Sequence, residues 1–150
     1  MIWDNQYFVA GVISWMVAFV ANYLINSNHQ KVKTAEELWL VSGGMPSKHA
    51  ATVIGVACTA LLVDGVDSAA FAIAGTLAAV TMYDAINVRR AVGQNRAAIL
   101  ALYDHVKEAK PLHEDDPLRE FKSLGHKPLE VLIGAVIGAL VAALVHYLVF

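Results

Sequence analysis

Charge is scarce in this chain. Of its 150 residues only 16% are Asp, Glu, Lys or Arg, and 57% are apolar, whereas ordinary soluble domains carry roughly 25% charge. Mean hydropathy is +0.53. Such a composition excludes disorder and argues for a membrane. Cysteine is almost lacking: Cys58 stands alone in an apolar run, so neither an intrachain disulfide nor a cysteine metal cluster can form. A basic excess is missing too, because the formal net charge is -2. With no Gly-rich nucleotide fingerprint and no strand-like alternation, nucleic-acid and dinucleotide binding are set aside.

What the chain does have is four apolar stretches, Phe8 to Ile25, Ala50 to Val63, Ser68 to Tyr83 and Val131 to Phe150. The first and last reach the ~20 residues that a hydrocarbon core of roughly 30 Å requires at ~1.5 Å rise per residue. The middle two are shorter and are joined by the polar turn Asp64-Gly65-Val66-Asp67-Ser68, which reads as a helical hairpin. Starting the second helix near Pro46 adds a turn to it. The expected architecture is all-α: one integral membrane domain, 1–150, built as a four-helix transmembrane bundle over about 8–25, 46–63, 68–90 and 128–150. A long cytoplasmic loop joins helices three and four.

The placement of positive charge supports this layout independently. All 11 Lys and Arg fall between spans one and two (Lys31, Lys33, Lys48) or between spans three and four (Arg89 to Lys127), as short cytoplasmic loops require. Both termini are therefore expected on the non-cytoplasmic side of a bacterial inner membrane or an organelle membrane. The N-terminus has no basic n-region and no small-residue cleavage site, so the first span is expected to stay in the protein. The first part of the long loop, Arg90 to Lys110, could extend the third helix into the cytosol.

Three polar segments then share the cytoplasmic side: Gly43 to His49 at the entrance to helix two, Tyr83 to Arg90 at the exit of helix three, and Leu124 to Glu130 at the entrance to helix four. Polar groups at one depth of a small bundle are candidates for a common site. Pro46 and Pro128 suit a first helical turn, and Ser47 is placed to cap helix two. Helix starts present N-H groups and a positive dipole end to anions, and Gly43 and Gly44 let the backbone turn its amides toward one. Tyr83, Asn87 and Arg90 recur at helical spacing with Arg89 and Asp84 beside them. Arginine grips two phosphate oxygens at once. Asp84 has three open readings: it pairs with an arginine, orients a polar group, or binds a divalent ion with Glu130.

His126 and Glu130, four residues apart, fall on one helical face if the helix begins early enough, and the carboxylate can then orient the imidazole. His49 lies on another helix start. One imidazole as nucleophile and one as general acid or base suffice for phosphoryl transfer, with no metal or other cofactor.

These residues resemble the divergent branch of the type 2 phosphatidic acid phosphatase superfamily, relatives of acid phosphatases and vanadium-dependent haloperoxidases. The resemblance rests on Gly43-Gly44-Met45-Pro46-Ser47-x-His49, on Met82-Tyr83-Asp84-Ala85 with Val88-Arg89-Arg90 and Gly93, and on Leu124-Gly125-His126-x-Pro128-x-Glu130-Val131. It implies phosphate contacts from Ser47, leaving-group protonation by His49, and a phosphohistidine formed on His126. Lys48 stands where the superfamily has glycine, Glu130 where it usually has Asp, and the superfamily's first lysine-arginine motif has no counterpart. The expected function is hydrolysis of a lipid phosphomonoester or pyrophosphate at the cytoplasmic face, with Ser47, Lys48, Arg89, Arg90, Gly43 and Gly44 binding phosphate. The alternative is a non-catalytic membrane subunit, or an anionic-lipid-binding protein with a degenerate pocket. Expected partners are the membrane, an anionic or phosphorylated lipid, and a membrane-protein complex or second copy. Gly134, Gly138 and Ala142 form a small-residue surface that packs either within the chain or across a dimer.

Overall fold

The computed structural model describes residues 2–28, 44–105 and 127–150, and no strand occurs among them. After a 3-10 turn at Ile2–Asp4 come α1 (Gln6–Asn28), α2 (Lys48–Asp64), α3 (Ala69–Tyr83), a π-helical segment (Asp84–Val88), α4 (Arg89–His105) and α5 (Pro128–Leu148).

Each start has a local cause. Asn5 Oδ1 accepts from the N-H groups of Tyr7 and Phe8 at 3.0 and 3.1 Å. Ser47 Oγ accepts from Ala50 N at 3.4 Å, and Ser68 Oγ from Phe71 N at 3.1 Å. At α5, Pro128 takes the first position, where its missing N-H costs nothing, while Glu130 Oε2 accepts from Lys127 N at 3.1 Å. Gly65 ends α2 at φ 85°, a left-handed geometry that glycine adopts without a steric penalty, and the chain turns there into α3. The Asp64 to Ser68 segment is thus the expected helical hairpin.

Helix α2 is the centre of the bundle, packed on α1, α3 and α5, while α1 and α5 also meet. Its neighbours approach through small residues. A Cβ on Gly134 would strike the Ser47 carbonyl, and one on Gly138 would strike the Ala51 carbonyl and lie 2.9 Å from Gly55 N. Ala50, Ala51, Ala60 and Ala142 are all buried nearby. Lipid tails are as apolar as leucine, so helices in a bilayer associate by such close packing and not by hydrophobic gain. The small-residue surface of α5 is therefore spent within the chain, against α2.

Three helical stretches are long and apolar enough to cross a membrane: Gln6–Asn26, Ala69–Leu102 and Pro128–Leu148. Helix α2, 17 residues long, spans ~25 Å at the α-helical rise. The third helix continues past Arg90, the expected end of the span, in line with the reading of Arg90 to Lys110 as its extension. The chain stays helical through Asp84–Val88 and on to His105, because nothing from Arg89 to His105 breaks a helix: this stretch has no proline and only one glycine. The other boundaries move by three residues or fewer.

At one end of the bundle the Tyr7 hydroxyl donates to Asp64, and His146 Nδ1 lies 3.3 Å from Gln6 Oε1. The polar motifs lie at the other.

Candidate functional site

The start of α2 and the start of α5 are joined directly: Ser47 N donates to Glu130 O at 2.9 Å. Just inside that bond, Ala50, Ala85 and Val131 are buried together, with Met82 and Ile86 packed on them. This apolar plug brings α2, the π segment and α5 to one place. Three stretches far apart in sequence, 44–50, 82–88 and 127–131, therefore share one end of the molecule.

Within that end the individual side chains have definite tasks. Ser47 is fully buried, and its hydroxyl caps α2. Lys48 is only 6% exposed and reaches toward α1, where its Nζ sits 5.4 Å from the centre of the Phe19 ring, a cation-π contact. His49 is half-buried with its Nδ1 inside the protein. The carboxylate of Glu130 closes the first turn of its own helix through Lys127 N. Asp84 is half-buried, while Tyr83 and Asn87 are exposed. Asn87 Nδ2 donates to Tyr83 O at 3.2 Å. Gly44 adopts φ 84° with the Asn26 amide so close that a Cβ would lie 2.7 Å from Asn26 Nδ2. Gly43, His126 and the side chains of Arg89 and Arg90 lie outside the described residues.

Two residues that sequence reasoning passed over belong to this end. Asn22 is fully buried, and its Nδ2 donates to Pro46 O at 2.9 Å. Asn26 Nδ2 in turn donates to Asn22 O and Asn22 Oδ1, both at 2.8 Å. A pair of amides four apart at the end of an apolar span was the available signal, since an amide buried at membrane depth must find partners. Among the described residues no three His, Cys, Asp or Glu side chains gather closely enough to hold a metal ion.

A family model described as Divergent PAP2 family matches residues 3–141 of this chain. The chain belongs to the divergent PAP2 family. It is also 37% identical over 103 residues to the Bacillus subtilis (strain 168) protein named uncharacterized membrane protein YuiD. That match covers 63% of this chain and 65% of the relative, so it spans somewhat under two thirds of the relative's length. No solved structure matches the chain. Membership in the divergent PAP2 family makes this a phosphatase-related integral membrane protein. The family match spans the starts of α2 and α5, Lys48 included.

Proposed function

We propose that this divergent PAP2 protein is a single membrane domain that hydrolyses a phosphate ester or pyrophosphate on a lipid at the cytoplasmic surface. The observation that carries the reading is the direct junction of the two helix starts, Ser47 N to Glu130 O, with His49 beside one and His126 immediately preceding the other in sequence. Helix starts supply N-H groups and a positive dipole end to a phosphate, and Lys48, Arg89 and Arg90 supply cations within the same segments.

In this reaction an imidazole nitrogen of His126 attacks phosphorus, and the bond from phosphorus to the lipid oxygen breaks. His49 gives its proton to that leaving oxygen. Water then attacks phosphorus while His49 takes its proton, the bond from phosphorus to the His126 nitrogen breaks, and inorganic phosphate departs. Glu130 orients the nucleophilic ring. The cations and amides stabilise the charge that spreads over the equatorial oxygens, the dominant contribution in phosphoryl transfer.

Purified protein in lipid nanodiscs, incubated with phosphatidate, phosphatidylglycerophosphate or a polyprenyl pyrophosphate, tests this. Phosphate release from at least one substrate should fall by at least about 100-fold in His126→Ala, the usual scale for losing a catalytic group. Equal release from the two proteins eliminates the nucleophile.

One observation favours a second reading. Ser47 is fully buried and its hydroxyl already caps α2, an arrangement that suits a structural remnant of a phosphatase pocket in a non-catalytic, lipid-binding subunit. Stoichiometric binding of anionic lipid, with no turnover of any of the three substrates, supports that alternative.

A further inference from the structure

The third helix carries an apolar line that the other described residues leave uncovered. In its membrane half Ile73, Leu77 and Val80 are 57–71% exposed. In its distal half Val88, Val92, Ile99 and Leu102 are 51–65% exposed. From Ile73 to Asp84 the line advances in steps of four, three and four residues. From Val88 to Leu102, passing Asn95, it advances in steps of four, three, four and three. Both are heptad spacings.

Between the two runs there is one residue too many. The step from Asp84 to Val88 is four where the repeat needs three, and in unbroken α-helix that surplus would turn the distal run about 100° away from the first. The surplus falls within the π-helical segment Asp84–Val88. Its i to i+5 bonding holds one more residue per turn, so the turn absorbs the extra residue and the two runs form one line. Asp84 is the only carboxylate from Ala69 to Leu102, and it is half-buried and engaged with other groups of its own chain.

We propose that this line is a homodimer seam, along which two copies pair their third helices in parallel and form a two-stranded coiled coil beyond the membrane. The hydrocarbon core is too thin to cover both halves of a helix that crosses it. The stretch Ala69–Leu102 is 34 residues long, ~50 Å at the helical rise, against a hydrocarbon core of ~30 Å. Two copies with the same membrane orientation present this helix in parallel and in register about a two-fold axis. The distal pattern suits that geometry at its far end, where β-branched Val92 and Ile99 hold the first core position and Leu102 the second, the combination that favours parallel dimers, while Val88 and Asn95 fill the second position nearer the membrane. Asn95, at the second core position, is the one polar residue on the distal seam. Ala91 and Ala98 flank one side of the seam and Arg96 the other. Parallel pairing sets Arg96 against alanine, and antiparallel pairing sets arginine against arginine. With on the order of 100 Å² per aliphatic side chain, the seven expose on the order of 700 Å² per copy, near the ~800 Å² per partner of a stable interface.

Cysteine scanning in membranes tests the seam on the full chain. In a Cys58→Ala background, Val92→Cys, Ile99→Cys and Leu102→Cys should give disulfide-linked dimers with copper phenanthroline at least five times more efficiently than Gln94→Cys, Ala97→Cys and Ala101→Cys on the opposite face. Inserting one alanine after Asn87 should abolish the distal cross-links while Leu77→Cys still cross-links, whereas deleting Asn87 should keep both. Native mass spectrometry of the unaltered protein should show a dimer. A monomer in that measurement overturns the proposal. So does equal cross-linking on both faces, or shielding of Val92→Cys and Ile99→Cys from a water-soluble maleimide with no dimer formed, which would place α4 on the lipid surface.

Discussion

Helices α3 and α5 are both apolar enough to cross a bilayer, yet they are used in opposite ways. In α5 a third of the apolar window, 33%, is buried within the protein, and in the span that begins with α3 only 11%. The glycines show why. Gly134 and Gly138 lie against the α2 backbone, whereas a Cβ added to Gly75 meets nothing within 4 Å. Hydropathy says that a helix can enter lipid, but the position of its small residues decides whether another helix can come close. One helix is part of the bundle's interior, and the other offers its surface outward.

The contrast breaks most directly at Gly138. Gly138→Leu should prevent stable folding, because the new side chain starts inside the Ala51 carbonyl's space; a cost above about 3 kcal/mol, at the upper end for overpacking, is expected. Loss of the monodisperse peak on size exclusion in mild detergent would show it. A smaller but clear effect is expected from Asn22→Leu, which removes the donor to Pro46 O and strands a buried carbonyl at about 1–3 kcal/mol, read as a lower unfolding midpoint in a detergent titration. Ser47→Ala should cost about 1 kcal/mol through the lost helix cap. It should also lower phosphate release more than stability if the hydroxyl touches substrate, which separates the two readings of the site. Gly75→Ala should be the mildest, neutral or stabilising by up to about 1 kcal/mol from helix propensity alone. Destabilisation there, measured in the same titration, would mean that α3 is packed more tightly than its exposure indicates.

Much of the fold is legible in the residues. The apolar lengths of the first and last spans, the polar turn from Asp64 to Ser68 and the prolines at 46 and 128 locate the helices to within a few residues. Less legible is how the third helix ends, since the charge pair Arg89-Arg90 reads as a membrane exit and a membrane exit need not be a helix exit. The π turn is invisible to a search for period 3.6, because it is a departure from that period. At the candidate site, the shared end of Ser47, Glu130 and Asp84 follows from alternating helix direction and was open to sequence reasoning. The roles of Asn22 and Asn26 were not, since their meaning depends on Pro46 O, a backbone group 24 residues beyond Asn22. The small-residue line of α5 was recognisable, but its partner could be named only when the Ser47 and Ala51 carbonyls were seen against it.

The backbone bond from Ser47 to Glu130 has a further consequence. It fixes the separation of the α2 and α5 starts before any guest arrives, so under the proposed function an incoming anion spends none of its affinity on drawing the two helices together. Changes in affinity caused by substitutions at this rim then measure contacts with the guest itself, separately from the work of building the receptacle.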